Sequence, residues 1–224
     1  MWRRHLVPGL LWWADGEKVD GSPSSRPSKY RAPTWSWASI DGIVYMEDNL
    51  VSEWRIQVVD YKLEYATHDI TGIITGGWID LRGHLKPFSL RWNVKGYLRC
   101  FKWQMALDGE TVWSQDESIA EEDWSTKLVD LDVPTSNSEA FDEDNAQQRL
   151  YCLVSRAAKD AKDYVPILLL RLLDAERNLF ERIGLASCPP GQGLAMLEAE
   201  LHEDVKSSLP CSRYEDGLHT IRIV

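Results

Sequence analysis

The stretch WIDLRGHLKPF places Asp80, Arg82 and His84 at alternate positions. In an extended chain these three share one face, while Ile79, Leu81 and Leu85 share the other. A histidine titrates at about 6.5 when unperturbed, so it passes protons in either direction near neutrality. Beside a carboxylate and a guanidinium, His84 is a candidate acid–base catalyst with Asp80 and Arg82 as its companions. A solvated outer strand face has the same alternation, and the two readings compete. Tyr65 is a further candidate for proton transfer, because it and Tyr61 fall on the inward phase of the preceding strand. Eleven tryptophans and eight tyrosines offer wide, rigid apolar walls. Trp35, Trp37, Trp54, Tyr61, Trp78, Phe101 and Trp103 are the candidate substrate contacts. Aromatic residues at a period of two also build cores. Trp35 and Trp37, projecting the same way from an extended segment with Ser36 opposite, read as a packed layer before a binding wall.

Other chemistries lack their motifs. GIITGG is not followed by the Lys-Ser pair or the helix of a phosphate loop, no HExxH occurs, and HEDV supplies one histidine in an acidic segment. No GxSxG elbow surrounds a serine. The four cysteines, at 100, 152, 188 and 211, are too widely spaced for paired zinc ligands and too few for a disulfide framework. No metal and no cofactor is expected. An enzyme of this composition is expected to rely on a shaped pocket, a few hydrogen-bond donors and one acid or base. Such a site suits cyclisations, pericyclic closures, isomerisations and dehydrations of a hydrophobic small molecule, terpenoid or polyketide in type.

Charge narrows the partners. With 25 Lys and Arg against 35 Asp and Glu, the formal net charge is -10. That balance disfavours nucleic acid and anionic membrane surfaces. The opening MWRRHLVPGLLWWADGEK has a basic end and an apolar run, but Pro8 and Gly9 interrupt it and acidic residues follow at once. A cytoplasmic protein is expected.

The elements that must position these residues are mostly strands. Residues 2 to 14 carry helical spacing broken by Pro8, and residues 15–29 read as an exposed loop. In SEWRIQVVDYKLEYA the apolar phase flips between Val58 and Val59, which predicts a β-bulge. WIDLRGHLKPF, YLRCFKWQMAL, KLVDLDV, RLYCLVSR and HTIRIV read as strands, and residues 134–147 as a second exposed loop. VPILLLRLLDA fits a strand buried on both faces, joined to LFERIGLAS as a hairpin across AERN. Residues 194–205 carry the pattern of an acidic amphipathic helix. The expectation is one all-β domain over residues 1–224, mainly antiparallel, a barrel-like closed or nearly closed sheet with short peripheral helices. At this length roughly 70% of the unfolded surface is buried on folding, enough for a core without disulfides or metals.

YRAPTWSWASIDG, at residues 30 to 42, resembles the Arg-Ala-Pro-Ser-Trp-Ser-Trp-Ala-Ser signature found downstream of the HET domain in fungal heterokaryon-incompatibility proteins, with Thr34 where that family usually has serine. MWRRHLVPGLLWW is similar to the family's Gly-Leu-Trp-Arg helix and Leu-Leu-Trp segment, and GWIDLRG, FERIGLAS and HTIRIV are looser likenesses. The HET domain's own segments, ending in Trp-Gly and Cys-Ile-Asn-Gln, have no counterpart here. The resemblance therefore implies the family's C-terminal β-rich region without the domain credited with cell-death activity. Two uses are compatible with it: a small-molecule enzyme of fungal secondary metabolism, or a non-catalytic regulatory or interaction module.

Overall fold

The structure, a computed structural model, describes residues 6–15, 18–46, 53–69, 72–92, 103–107, 110–111, 129–135, 137–158, 163–188 and 208–224. Its strands in chain order are β1 (Trp12–Ala14), β2 (Val44–Met46), β3 (Gln57–Tyr65), β4 (Ile74–Gly83), β5 (Leu85–Pro87), β6 (Ser89–Trp92), β7 (Trp103–Leu107), β8 (Glu110–Thr111), β9 (Val129–Leu131), β10 (Leu150–Val154), β11 (Val165–Asp174), β12 (Leu179–Cys188), β13 (Arg213–Glu215) and β14 (Leu218–Ile223). Among the described residues one short α-helix, α1 (Asp142–Ala146), and two 3-10 turns, Pro8–Leu10 and Trp37–Ser39, accompany them. The chain is thus mostly β, as expected.

The main sheet runs β3-β4-β14-β12-β11-β10-β5, with β13 beside β14 and β9 beside β12. Its pairs are antiparallel except β12 with β14, which is parallel and short. This hydrogen-bonded path is open and forms no closed barrel. His84 alone separates β4, near one end of the path, from β5 at the other.

β11 lies inside the sheet, between β12 and β10, and its sequence is apolar on both phases. Val165, Ile167 and Leu169 face a cluster with Leu90, Met105, Phe141 and Cys152, where β6, β7 and α1 pack. Leu168, Leu170 and Leu172 face a second cluster with Ile56, Ile79, Leu81, Leu85, Leu153, Phe180, Leu185, Ile221 and Ile223. Each such side chain, fully buried, contributes about 1.5–3 kcal/mol relative to exposure. The hairpin to β12 turns through residues 175–178, with Asn178 at φ 52°.

The predicted bulge is present: the β3–β4 register shifts between Val58 and Asp60. Val59 is exposed, while Val58, Tyr61 and Leu63 all pack on the second cluster. Three expectations are corrected. The helical pattern near the start gives way to β1, because Trp12–Ala14 find a partner strand in β2. Residues 134–147 are not simply an exposed loop, since Phe141 and Asp144 are buried and Asn145 bonds both backbone groups of Leu90. Within 15–29, Ser24 is buried and Arg26 reaches inward. The expected helix over 194–205 lies outside the described residues.

Candidate functional site

The signature stretch folds as a clamp. Pro33 leads into a turn, and Ser36 accepts a bond from the Ala38 amide at 3.3 Å, capping the 3-10 turn. The chain therefore leaves the extended form between the two indoles. Trp35 is 8% exposed and packs in the second cluster, whereas Trp37 is 52% exposed. The expectation that they share a face is overturned by that turn. Arg31 donates to the Ala38 and Ile40 carbonyls and to the Asp41 carboxylate, at 2.5, 2.7 and 2.8 Å, anchoring the turn.

Beneath the clamp lies a buried charge pair. Arg182 and Asp132, 0% and 1% exposed, meet at 3.1 Å. The Arg182 guanidinium stacks 3.3 Å over the Trp12 ring and also donates to the Trp12 carbonyl. Arg26 donates to Asp132 at 3.2 Å, to the Arg182 carbonyl at 3.0 Å and to Ser39. Thr34 accepts from the Arg182 amide at 3.1 Å and donates to the Val224 carbonyl. The register shift between Leu169/Leu170 and Gly184/Arg182 leaves Ile183 as an extra residue on β12, a bulge of the kind that re-aims a neighbouring side chain such as Arg182. Gly184 is required there, because a Cβ would lie 2.3 Å from the Asp130 carbonyl.

Both side-chain bonds of Thr34 are made by its hydroxyl, which serine also carries. Thr34→Ser is expected to leave the melting temperature nearly unchanged. Thr34→Ala loses two hydrogen bonds at a half-buried site and is expected to cost about 1–3 kcal/mol. Thermal unfolding of both variants checks this.

The nominated catalytic residues are not gathered together. Asp80 forms a bidentate pair with Arg222 across β4 and β14, at 2.7 and 2.8 Å, and Arg222 lies 3.7 Å over the Trp78 ring. Arg82 donates to the Glu215 carbonyl at 3.2 Å and to Asp216 at 3.3 Å, fastening the β13–β14 turn. Tyr65 pairs with Ile74 at the far end of the hairpin, roughly 30 Å along the strand from His84 at about 3.3 Å per residue. The aromatic candidates are dispersed too. Trp54 and Tyr61 pack on the second cluster, Trp78 under Arg222, and Trp103 edge-on to Trp92 and Phe141 beside the first. Phe101 lies outside the described residues.

His84 has a different companion, one the sequence reading missed. His219, on β14, pairs with Gly83 and with Tyr214 of β13. It is 1% exposed, and neither ring nitrogen has a hydrogen-bond partner. Tyr214 lies across it, with ring centroids 4.7 Å apart. Burial first, then the charges of His84 and Lys86, push its pKa down to about 4. At neutral pH His219 is therefore an uncharged imidazole carrying one unmatched N–H and one unmatched lone pair. Lys86 is itself only 5% exposed. The backbone is crowded here, since a Cβ at Gly83 would meet the Arg55 carbonyl and Leu153 at 3.3 Å. The available signal was a histidine in the apolar phase of HTIRIV, level with Ile221 and Ile223.

Buried polar groups are nearly always satisfied, so an orphaned imidazole marks a place where a ligand or water group belongs. Among the described residues no set of three His, Cys, Asp or Glu side chains is placed to hold a metal ion, and no helix is long and apolar enough to cross a membrane. Comparison of the chain with protein-family models, with curated proteins and with solved structures gives no match.

Proposed function

We propose that this chain is a small-molecule enzyme of the cyclase, pericyclase or isomerase type, working without a cofactor at the β4–β5 bend. His219 donates its N–H to a substrate carbonyl whose oxygen gains negative charge, and His84 and Lys86 supply a positive field around it. A neutral imidazole suits this role better than a protonated one, because its N–H is fixed in place and needs no proton bookkeeping in a water-poor site. The observation that carries the reading is the buried, unpartnered His219. A barrel-like enclosure belongs to it: β4, β14, β12, β11, β10 and β5 follow one another, and His84 joins the last back to the first. The substrate is assigned to the His219 end of that ring because the unpartnered imidazole stands there. The substrate is an apolar, terpenoid- or polyketide-like molecule bearing a carbonyl, made in the cytoplasm of a fungus if the signature stretch marks ancestry.

A triene tethered to an enone, which closes by intramolecular cycloaddition, tests this. The protein is expected to accelerate closure over buffer, and His219→Leu to lose on the order of 10²–10³ of that acceleration. No acceleration, together with no shift of the His219 imidazole NMR signals on adding 2-cyclohexenone, would remove the reading.

A second reading, an interaction module, is favoured by a separate observation. Trp37, Tyr30, Tyr45 and Met46 are all exposed, and Tyr45 stacks on Trp13 at 5.7 Å.

A further inference from the structure

We infer that the edge of the main sheet at β3 is a dimerisation surface, and that its occupant is β3 of a second copy of this chain, antiparallel and centred on Leu63. Nothing in this depends on the His219 site.

β3 ends the hydrogen-bonded path of the sheet, and among the described residues it pairs with β4 alone from Gln57 to Tyr65. The chain just before it is held, the Arg55 amide donating to the Ser155 carbonyl at 2.9 Å. An edge strand with one neighbour is a template for pairing with another chain. The opposite end of the path is blunted, because β5 has only three residues and ends in Pro87, which has no amide to donate. β3 has nine residues and no proline. The Tyr61 amide donates to the Asp60 carboxylate at 2.8 Å, a side-chain substitute for a strand partner. Alternate residues turn their amides to the same side, so Leu63 shares that side.

Charge complementarity names the partner. On one face the edge presents Asp60, Lys62 and Glu64, all exposed, and on the other Tyr61, Leu63 and Tyr65, all half-buried. A two-fold axis perpendicular to the sheet keeps like faces together, and each residue meets its own kind across it. Placed on Asp60, Lys62 or Glu64, the axis sets a charge against itself. On Tyr61 it sets Asp60 against Lys62 but carries the pairing through the bulge at Val59. On Leu63 it sets Lys62 against Glu64 twice, Leu63 against Leu63, and Tyr61 against Tyr65 twice. Those ion pairs fall within Asp60–Glu64, where β3 and β4 keep one register. Lys62 and Glu64 already meet within the strand at 2.9 Å, and both side chains are more than half exposed. The charges therefore select the register, while backbone bonds and the apolar face supply the affinity.

An edge contact is a small interface, so sedimentation equilibrium of the whole chain is expected to show a monomer–dimer equilibrium with Kd on the order of 10–100 µM. Lys62→Glu and Glu64→Lys each set like charges opposite one another and are expected to weaken association at least about tenfold. Both positions are exposed, so both variants are expected to fold. The double variant is expected to restore association. An equimolar mixture of the two single variants is expected to restore it too, because every Glu then meets a Lys across the axis. Neither misfolding nor a dimer through another surface produces that recovery. Wild-type protein that stays monomeric at about 500 µM overturns the inference whether or not the variants fold. A mixture that stays monomeric overturns it as well. A dimer indifferent to both single variants overturns it in favour of another surface, and one sensitive to Lys62→Glu alone overturns the Leu63 axis in favour of Tyr61.

Discussion

Asp132→Asn is expected to destabilise the protein by about 3–5 kcal/mol, because it strips the only full negative charge that the described residues place against Arg182. Both partners are out of water, and burial acts on them in opposite directions. It lowers the Arg182 pKa to about 10 against the attraction of Asp132, and raises that of Asp132 against the attraction of Arg182 and then Arg26. Such a pair is poor evidence of net stabilisation, but breaking it leaves a guanidinium uncompensated in a dry interior. The stacked Trp12 ring offsets only part of that. Against a typical total of about 5–15 kcal/mol, the loss is large. For a chain of this length it corresponds to a fall in melting temperature of about 6–20 °C. Differential scanning calorimetry reads it directly, and a shift under about 2 °C would show that the pair is hydrated. Replacing both partners, Asp132→Leu with Arg182→Met, is expected to recover most of the loss, since neither charge is then stranded. The variant also separates scaffold from site: the His219 NMR signals should persist wherever the fold does.

The second large effect concerns acid stability. His219 has a folded pKa of about 4 against 6.5 for an unperturbed imidazole. Between those values the unfolded chain binds a proton that the folded chain refuses, so stability falls as pH drops through that window and is fully retained above it. The shift corresponds to about 3 kcal/mol by pH 4. Tyr214 lies across the ring and the charges of His84 and Lys86 act on it, and none of the three supplies a negative charge to hold an imidazolium. Carboxylates elsewhere also titrate near the lower end, so the informative quantity is a difference. Urea unfolding of wild type and His219→Leu at pH 7.0, 5.5 and 4.5 should show the two curves converging, or the variant becoming the more stable, as pH falls. A gap that stays constant across the three values would mean that His219 is not held neutral.

Much of the fold was legible because it is written in short-range pattern. The phase flip at Val58/Val59 is a local property of one strand, and it survived into the register of β3 on β4. VPILLLRLLDA is apolar on both phases, as a strand covered on both sides or a buried helix would be; its β-branched start and Pro166 favour the strand, and β11 is covered on both sides. AERN carried its own turn chemistry. Arg31 anchors its turn by local contacts alone, since a guanidinium near a proline-led turn finds carbonyls within a few residues.

The candidate site was only half legible. His84 was visible because it alternates with polar neighbours, but its placement depends on His219, which lies 135 residues further along the chain and only enters through the β4–β14 pairing. Asp80 and Arg82 looked like companions of His84 because they share its phase, yet each is taken by a cross-strand partner of opposite charge. Of the aromatic candidates, Trp35, Trp54 and Tyr61 pack on one cluster and Trp103 on the other, and phase alone does not say which face looks inward.

Sequence by itself therefore determined most of the strands, the β3 bulge and the two-sided burial of β11, all of which follow from periodicity and turn preference within a dozen residues. Only the tertiary structure decided that the signature stretch is a clamp over Arg182 and Asp132, and that His219 stands unpartnered. Those outcomes depend on which distant strands pair and in what register. A one-residue shift in register exchanges the faces of every side chain on a strand, so the chemistry of a sheet protein is settled where strands from far apart in the chain meet.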